Sequence, residues 1–257
     1  MKVCVIQPPY SINYEDTEKC FEKQLELMDA CDDSLDIIVL PESCDIPSLA
    51  KTKEQSEASA NKYNKAFLEK ASETVKRCHS IVFANARSFN EGGARNTTYA
   101  FDREGNIVGK YYKEHLVPNE VSKMKLDSDY SFEYSEPTIV EIEGFRFAFL
   151  VCYDFYFYEN FANIARYKPD FVIGCSHQRS DTHETLKFIS QFLAYNTNAY
   201  VLRSSVSLGE DSLTGGASMI VAPDGRVLGN LYNQVGIVCA EIDPSEKLYK
   251  PAGFGNP

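Results

Sequence analysis

No apolar run in this 257-residue chain approaches the roughly 20 residues that a membrane-spanning helix needs. Positive charge is scarce. The 26 Lys and Arg stand against 37 Asp and Glu, for a formal net charge of −11. Nucleic acid and anionic membrane both call for a basic surface, so this balance disfavours each as a partner. No two cysteines have CxxC spacing, and no Cys/His group has zinc-ligand spacing, so neither a metal nor a cofactor is expected. Low-complexity linkers and short-period repeats are missing as well. Met1–Lys2 passes directly into Val3–Cys4–Val5–Ile6, too short an apolar stretch for a signal peptide's core. The expected compartment is a reducing cytoplasm, where disulfides are not anticipated.

What is present fits a globular protein. Apolar residues make up 44% of the chain and charged residues 25%, ordinary proportions for a packed core with a solvated surface. The length suits one large α/β domain or two small ones, and a single domain spanning 1–257 is expected. The eight cysteines (Cys4, Cys20, Cys31, Cys44, Cys78, Cys152, Cys175 and Cys239) are scattered, several inside apolar runs where a thiol acts as a small hydrophobe. Strand-like runs alternate with amphipathic helical stretches at Thr17–Cys31, Asn61–Cys78, Phe161–Tyr167 and Leu186–Asn196. Three hairpins are signalled by Gly-containing turns: Thr97–Asp102 with Ile107–Tyr112, Thr138–Ile142 with Phe145–Cys152, and Ser218–Ala222 with Val227–Leu231. Further strands are read at Val3–Gln7, Ile37–Leu40, Ile81–Ala84, Phe171–Cys175, Ala199–Ser205 and Val235–Ile242. So many hairpins exclude a purely parallel doubly wound sheet and favour mixed sheets covered by helices.

Three reactive side chains follow buried strands directly: Glu42 after Ile37–Pro41, Lys113 after Tyr111–Tyr112, and Cys152 after Phe147–Val151. Strand ends are where a rigid scaffold hands chemistry to a loop. Taken singly, each has an ordinary reading: a solvated loop glutamate, a surface lysine, a core thiol.

In this order and context the three resemble the nitrilase superfamily, the carbon–nitrogen hydrolases. The resemblance begins at Val3–Gln7 and includes Leu40-Pro41-Glu42. It continues through Asn96–Gly109 into Lys113-Glu114-His115-Leu116, then Cys152-Tyr153-Asp154, and ends at Gly216–Gly225. Several separated motifs in order are far more specific than any one. The family fold this implies is an α/β (α+β), four-layer α–β–β–α sandwich of two mixed sheets.

The resemblance implies a division of labour. Cys152 is the nucleophile, and a thiol of ordinary pKa needs a base to act on an amide at neutral pH. Glu42 is that base and later the general acid. Lys113 stabilises the oxyanion together with the Tyr153 backbone N–H. Glu120 is a supporting carboxylate for Lys113 or the attacking water. His115 and Asp154 are expected to be structural. Tyr153, His177 and Arg179 are expected at the substrate, Arg179 as a bidentate partner for a carboxylate. Alternatively, Glu120 is an exposed loop residue and Arg179 a solvated cation. The implied partners are a small amide and water, and the implied assembly is a homodimer or a higher homo-oligomer.

The sequence also departs from the family pattern. Asp154-Phe155-Tyr156-Phe157-Tyr158-Glu159 lacks the usual basic residue and proline after the nucleophile. Nitrile hydrolysers tend to carry Cys-Trp-Glu, and this chain has no Trp, which favours amides over nitriles. N-carbamoyl hydrolysis, nitrile hydrolysis and a glutaminase-like ammonia donor stay open within the family, as does a non-catalytic scaffold. A papain-like Cys/His pair would need His177 or His183 at Cys152. The stretch Lys250–Pro257 is read as a shorter tail than relatives use across a dimer interface, or as an incomplete one.

Overall fold

The computed structural model describes residues 1–90, 93–128 and 136–248. The tail 250–257 therefore lies outside the described residues. In chain order the strands are β1 (Lys2–Gln7), β2 (Ile37–Val39), β3 (Ile81–Asn90), β4 (Gly93–Phe101), β5 (Ile107–Tyr112), β6 (Ile139–Ile142), β7 (Phe145–Val151), β8 (Phe171–Cys175), β9 (Tyr200–Ser204), β10 (Met219–Val221), β11 (Val227–Asn230) and β12 (Gly236–Glu241). The helices are α1 (Thr17–Asp29), α2 (Lys53–Cys78), α3 (Pro118–Ser122), α4 (Tyr158–Arg166) and α5 (His183–Thr197).

Two 6-stranded sheets result, ordered β12-β1-β2-β3-β4-β5 and β11-β10-β9-β8-β7-β6. Each has a parallel centre, β1-β2-β3 in one and β7-β8-β9 in the other, with antiparallel strands outside it. Parallel strands are covered on both faces and read as continuous apolar runs, as Ile37–Val39 and Phe171–Cys175 do.

The sheets pack face to face. Val5, Val39, Phe83, Phe147, Phe149, Val151 and Ile173 share one buried cluster between them. A second cluster fills the outer face of the first sheet, where Phe21 and Met28 of α1 and Phe67 and Val75 of α2 meet Cys4, Ile38 and Val82. A third fills the outer face of the other sheet, where Phe161 of α4 and Leu186 and Leu193 of α5 meet Leu150 and Val201. This is the α–β–β–α order expected from the sequence.

Most boundaries lie close to the expected ones, with two exceptions. Helix α2 starts at Lys53, earlier than Asn61, because the Thr52 hydroxyl accepts the Gln55 N–H and caps it there. Strand β3 runs on from Ala84 to Asn90 and pairs antiparallel with β4, a hairpin the apolar pattern does not show. Its extension carries Asn85 and Arg87, which are polar yet buried.

Phe147 lies at the centre of the inter-sheet layer, its ring 4.9 Å from Phe83 and 5.1 Å from Phe171. Phe147→Ala should cost about 3–5 kcal/mol of stability, since so packed a layer cannot collapse around the void. Urea unfolding measures this, and a loss under about 1 kcal/mol would show that the two sheets are not held by this layer.

Candidate active site

Strand β2 ends because Pro41 has no N–H to continue the ladder. Glu42 follows and is buried. Its loop is fixed by Asn85, whose side-chain oxygen accepts the Ser43 N–H at 2.7 Å and whose backbone carbonyl accepts the Cys44 N–H at 2.9 Å. The Asn85 amide also donates to Asn96 Oδ1 at 2.9 Å and to Thr98 Oγ1 at 3.0 Å. Asn96 in turn donates to Glu42 Oε1 at 2.8 Å and to Glu120 Oε1 at 3.2 Å.

Lys113 leaves the end of β5 and is only 2% exposed. Its Nζ donates to Glu42 Oε1 at 2.8 Å and to Glu120 Oε1 and Oε2 at 3.0 and 2.8 Å. Glu120 does two jobs. Its Oε2 also accepts the Val117 N–H at 2.9 Å, capping α3. Burial alone would strip the charge from Lys113, but Glu42, the Cys152 sulfur and Glu120 outweigh it and hold its pKa well above the usual lysine range. Burial raises the Glu120 carboxyl pKa, although Lys113 opposes the shift.

Cys152 ends β7 in a sharp turn with φ +48°, a left-handed conformation that costs a non-glycine residue energy. The turn is secured by Asp154. This fully buried carboxylate accepts the Val151 N–H at 2.9 Å, the Tyr111 hydroxyl at 2.9 Å and the His115 N–H at 2.8 Å. His115 Nδ1 lies 3.0 Å from it, and the His115 ring stacks on Phe157. Asp154 thereby ties the Cys152 turn of the second sheet to the loop that follows Lys113 in the first. Burial and the nearby Glu42 charge push the Cys152 thiol pKa well up, with Lys113 and the His177 backbone N–H pulling the other way.

Glu42, Lys113, Glu120 and Cys152 line one cavity of about 190 Å³, with His177, Arg179, Tyr10, Asn96 and Arg87 among the other walls. The Arg179 Nη1 donates to the Tyr10 hydroxyl at 3.1 Å, and its guanidinium lies over the Tyr10 ring. The His177 ring packs edge-on against Tyr10, and its Nε2 is buried without a partner. Burial, with Arg179 adding to it, holds this imidazole neutral.

The Tyr153 ring packs on Tyr156 and Phe157, and Tyr153 is not among the residues that line the cavity. His183 lies elsewhere, its Nε2 2.9 Å from Asn233 Nδ2. Ser218 also has a framework place: its hydroxyl accepts the Ser205 N–H at 2.8 Å and its own N–H donates to Gln7 Oε1 at 2.9 Å. Gly216 before it has φ +58°, and a Cβ there would stand 2.1 Å from the Tyr232 carbonyl oxygen. Among the described residues no group of three or more His, Cys, Asp and Glu could hold a metal ion, and no helix is long and apolar enough to cross a membrane.

A family-wide sequence profile described as Carbon-nitrogen hydrolase matches residues 2–247. The chain belongs to the carbon-nitrogen hydrolase family, the nitrilase superfamily. Among relatives of this hydrolase, a 2-oxoglutaramate amidase of Bacillus subtilis (strain 168) is 26% identical over 216 residues, 82% of this chain and 79% of that protein. A protein named hydrolase in agr operon, from Staphylococcus aureus, is 23% identical over 257 residues, 96% of this chain and 92% of that one. Of solved structures, a mutant of the amidase from Nesterenkonia sp. AN1, with acrylamide added at its active-site cysteine, superposes with a TM-score of 0.72 at 15% identity, covering 95% of this chain and 93% of that chain. The C. elegans NitFhit protein superposes with a TM-score of 0.75 at 22% identity, covering 95% of this chain and 61% of that one. Both structural likenesses concern the fold.

The raised thiol gives this hydrolase a testable signature. With no substrate bound, alkylation of Cys152 by iodoacetamide should rise about tenfold per pH unit from pH 6 to 9 without a plateau, because the thiolate fraction is still growing there. Peptide mass spectrometry of the labelled protein reads this, and a plateau below pH 8 would contradict it.

Proposed function

We propose that this chain is an amidase that hydrolyses a small linear amide through a thioester on Cys152. The observation that carries the reading is the joint placement of Glu42, Lys113 and Cys152 on one cavity, with Lys113 bonded to Glu42. Glu42 takes the thiol proton as the sulfur attacks the amide carbonyl, so a thiolate never has to stand free beside the carboxylate. The Lys113 ammonium and the Tyr153 backbone N–H hold the oxyanion; donors of this kind contribute about 3–4 kcal/mol each. The tetrahedral species collapses, the C–N bond breaks, and Glu42 returns its proton to the departing amine. Glu42 then draws a proton from a water molecule as it attacks the thioester; the C–S bond breaks, the acid leaves, and Glu42 returns that proton to the Cys152 sulfur. Glu120 positions Lys113 throughout. The papain-like alternative is disfavoured because His177 meets Cys152 through its backbone N–H.

The far end of the cavity favours a substrate with its own carboxylate. Among the described residues no carboxylate lies within ion-pair distance of Arg179, which Tyr10 holds in place. A bound carboxylate would satisfy that charge, and His177 lines the same cavity. The Bacillus relative, named for 2-oxoglutaramate, points to the same class, an amide bearing a carboxylate.

The cavity draws Glu42 from one sheet and Cys152 from the other, so we treat the whole chain as a single catalytic domain. A cytoplasmic location fits eight cysteines that are all free thiols. Homodimerisation is proposed with it. Phe188, Phe192 and Tyr195 form an exposed aromatic stripe at helical spacing along α5 that suits a second copy of the chain. Sedimentation velocity tests this, and a monomer at micromolar concentration would contradict it.

Ammonia release across small amides, carbamoyl amines and nitriles tests the reaction. Cys152→Ala should abolish release and Glu42→Gln should reduce kcat by at least about 10³-fold, each with the fold intact by circular dichroism; full activity in Glu42→Gln would remove the base assignment. Arg179→Ala should raise KM about 10–150-fold for amides carrying a carboxylate, the worth of a charge-assisted hydrogen bond, and leave neutral amides nearly unchanged. Equal losses on both substrate types would overturn the carboxylate reading.

A further inference from the structure

We propose that Cys4 and Cys239 form a hydroperoxide-sensitive dithiol that closes to a disulfide on the outer face of the first sheet. None of the catalytic chemistry uses them, and neither lines the cavity that holds Cys152.

The geometry comes from the strand register. β1 and β12 run antiparallel with Cys4 directly opposite Cys239. Directly opposed residues put their side chains on the same face. Their Cα atoms stand about 4.5–5.5 Å apart, inside the roughly 4.4–6.8 Å span of disulfides. The register therefore sets the pair at a spacing that a disulfide can span. Cys239 and Cys31, the latter just past the end of α1, are both close enough to Cys4 to influence its thiol. Exposure is asymmetric: Cys239 meets solvent while Cys4 and Cys31 are buried.

The electrostatics divide the roles. Contact with Cys4 lowers the Cys239 pKa to about 7, and Lys2 assists while burial and Asp32 oppose. The Cys4 thiol is held protonated by its neighbours Cys239 and Cys31 and by burial. Cys239 is then the attacking thiolate and Cys4 the resolving thiol. The Cys239 sulfur attacks a hydroperoxide, the O–O bond breaks, and an alcohol or water leaves with a solvent proton. Cys239 becomes a sulfenic acid. Cys4 attacks that sulfur, the S–S bond forms, the S–O bond breaks, and the Cys4 proton departs with hydroxide as water. The two sulfurs lose two electrons in all and the peroxide gains them.

The test uses the full chain, fully reduced, exposed to a small excess of hydrogen peroxide, blocked with N-ethylmaleimide and digested without reductant. Mass spectrometry should find the Cys4 and Cys239 peptides joined, two hydrogens lighter than the pair of thiols. At pH 7 without peroxide, Cys239 should hold a thiolate fraction on the order of tenfold above an ordinary cysteine, read as its iodoacetamide labelling rate. Cys239→Ser, a surface change, should abolish the link and leave amide hydrolysis at the wild-type rate. The proposal is overturned if Cys239 is recovered only as sulfinic or sulfonic acid, or is joined to Cys31 in place of Cys4. Because the readout is the link itself, it stands apart from the identity of the amide substrate.

Discussion

Lys113 carries an ammonium into a place where water barely reaches, and burying such an ion costs several kcal/mol unless partners replace its hydration. Glu42 and Glu120 supply those partners, but they are themselves buried carboxylates with the same need. The three groups are stable only as a set. The set needs a donor to share the carboxylate oxygens, and Asn96 fills that place, reaching Glu42 and Glu120 with one amide nitrogen. Asn96 must in turn be held, which Asn85 does from the neighbouring strand. Much of the polar interior of the first sheet follows from burying one cation.

The second sheet brings the thiol to that charge network, and Asp154 is what keeps the two in register. It anchors the strained Cys152 turn and the His115 loop with the same two oxygens. The left-handed backbone at Cys152 is a cost that these bonds over-determine. These bonds hold the Cys152 turn and the loop after Lys113 to one buried carboxylate.

The core strands were legible in the sequence because burial on both faces leaves continuous apolar runs, as at Phe171–Cys175. The hairpins after β4 and β10 were legible from their Gly-containing turns. The β3–β4 hairpin was not, and the reason is functional: Asn85 and Arg87 interrupt the apolar pattern where β3 turns toward the cavity. Glu42, Lys113 and Cys152 were reached through motif order, and no local signal marks any of them alone. Asn96 carries no signal of its own in the sequence beyond opening the Asn96–Gly109 stretch. Tyr10 follows Pro9, which bridges to Ser207, in a stretch with no periodicity, and its place beside Arg179 depends on a contact 169 residues apart. Short α3, fixed by the Glu120 cap, likewise has no repeating pattern to read.

The central claim is that the acyl group passes through Cys152. Rapid-quench mass spectrometry during turnover of a small amide tests it most directly. A transient mass addition equal to the acyl group, confined to the peptide containing Cys152, should form with the first release of ammonia and decay as acid appears. Steady turnover with Cys152 unmodified at every time, or an acyl group found on any other residue, would contradict it.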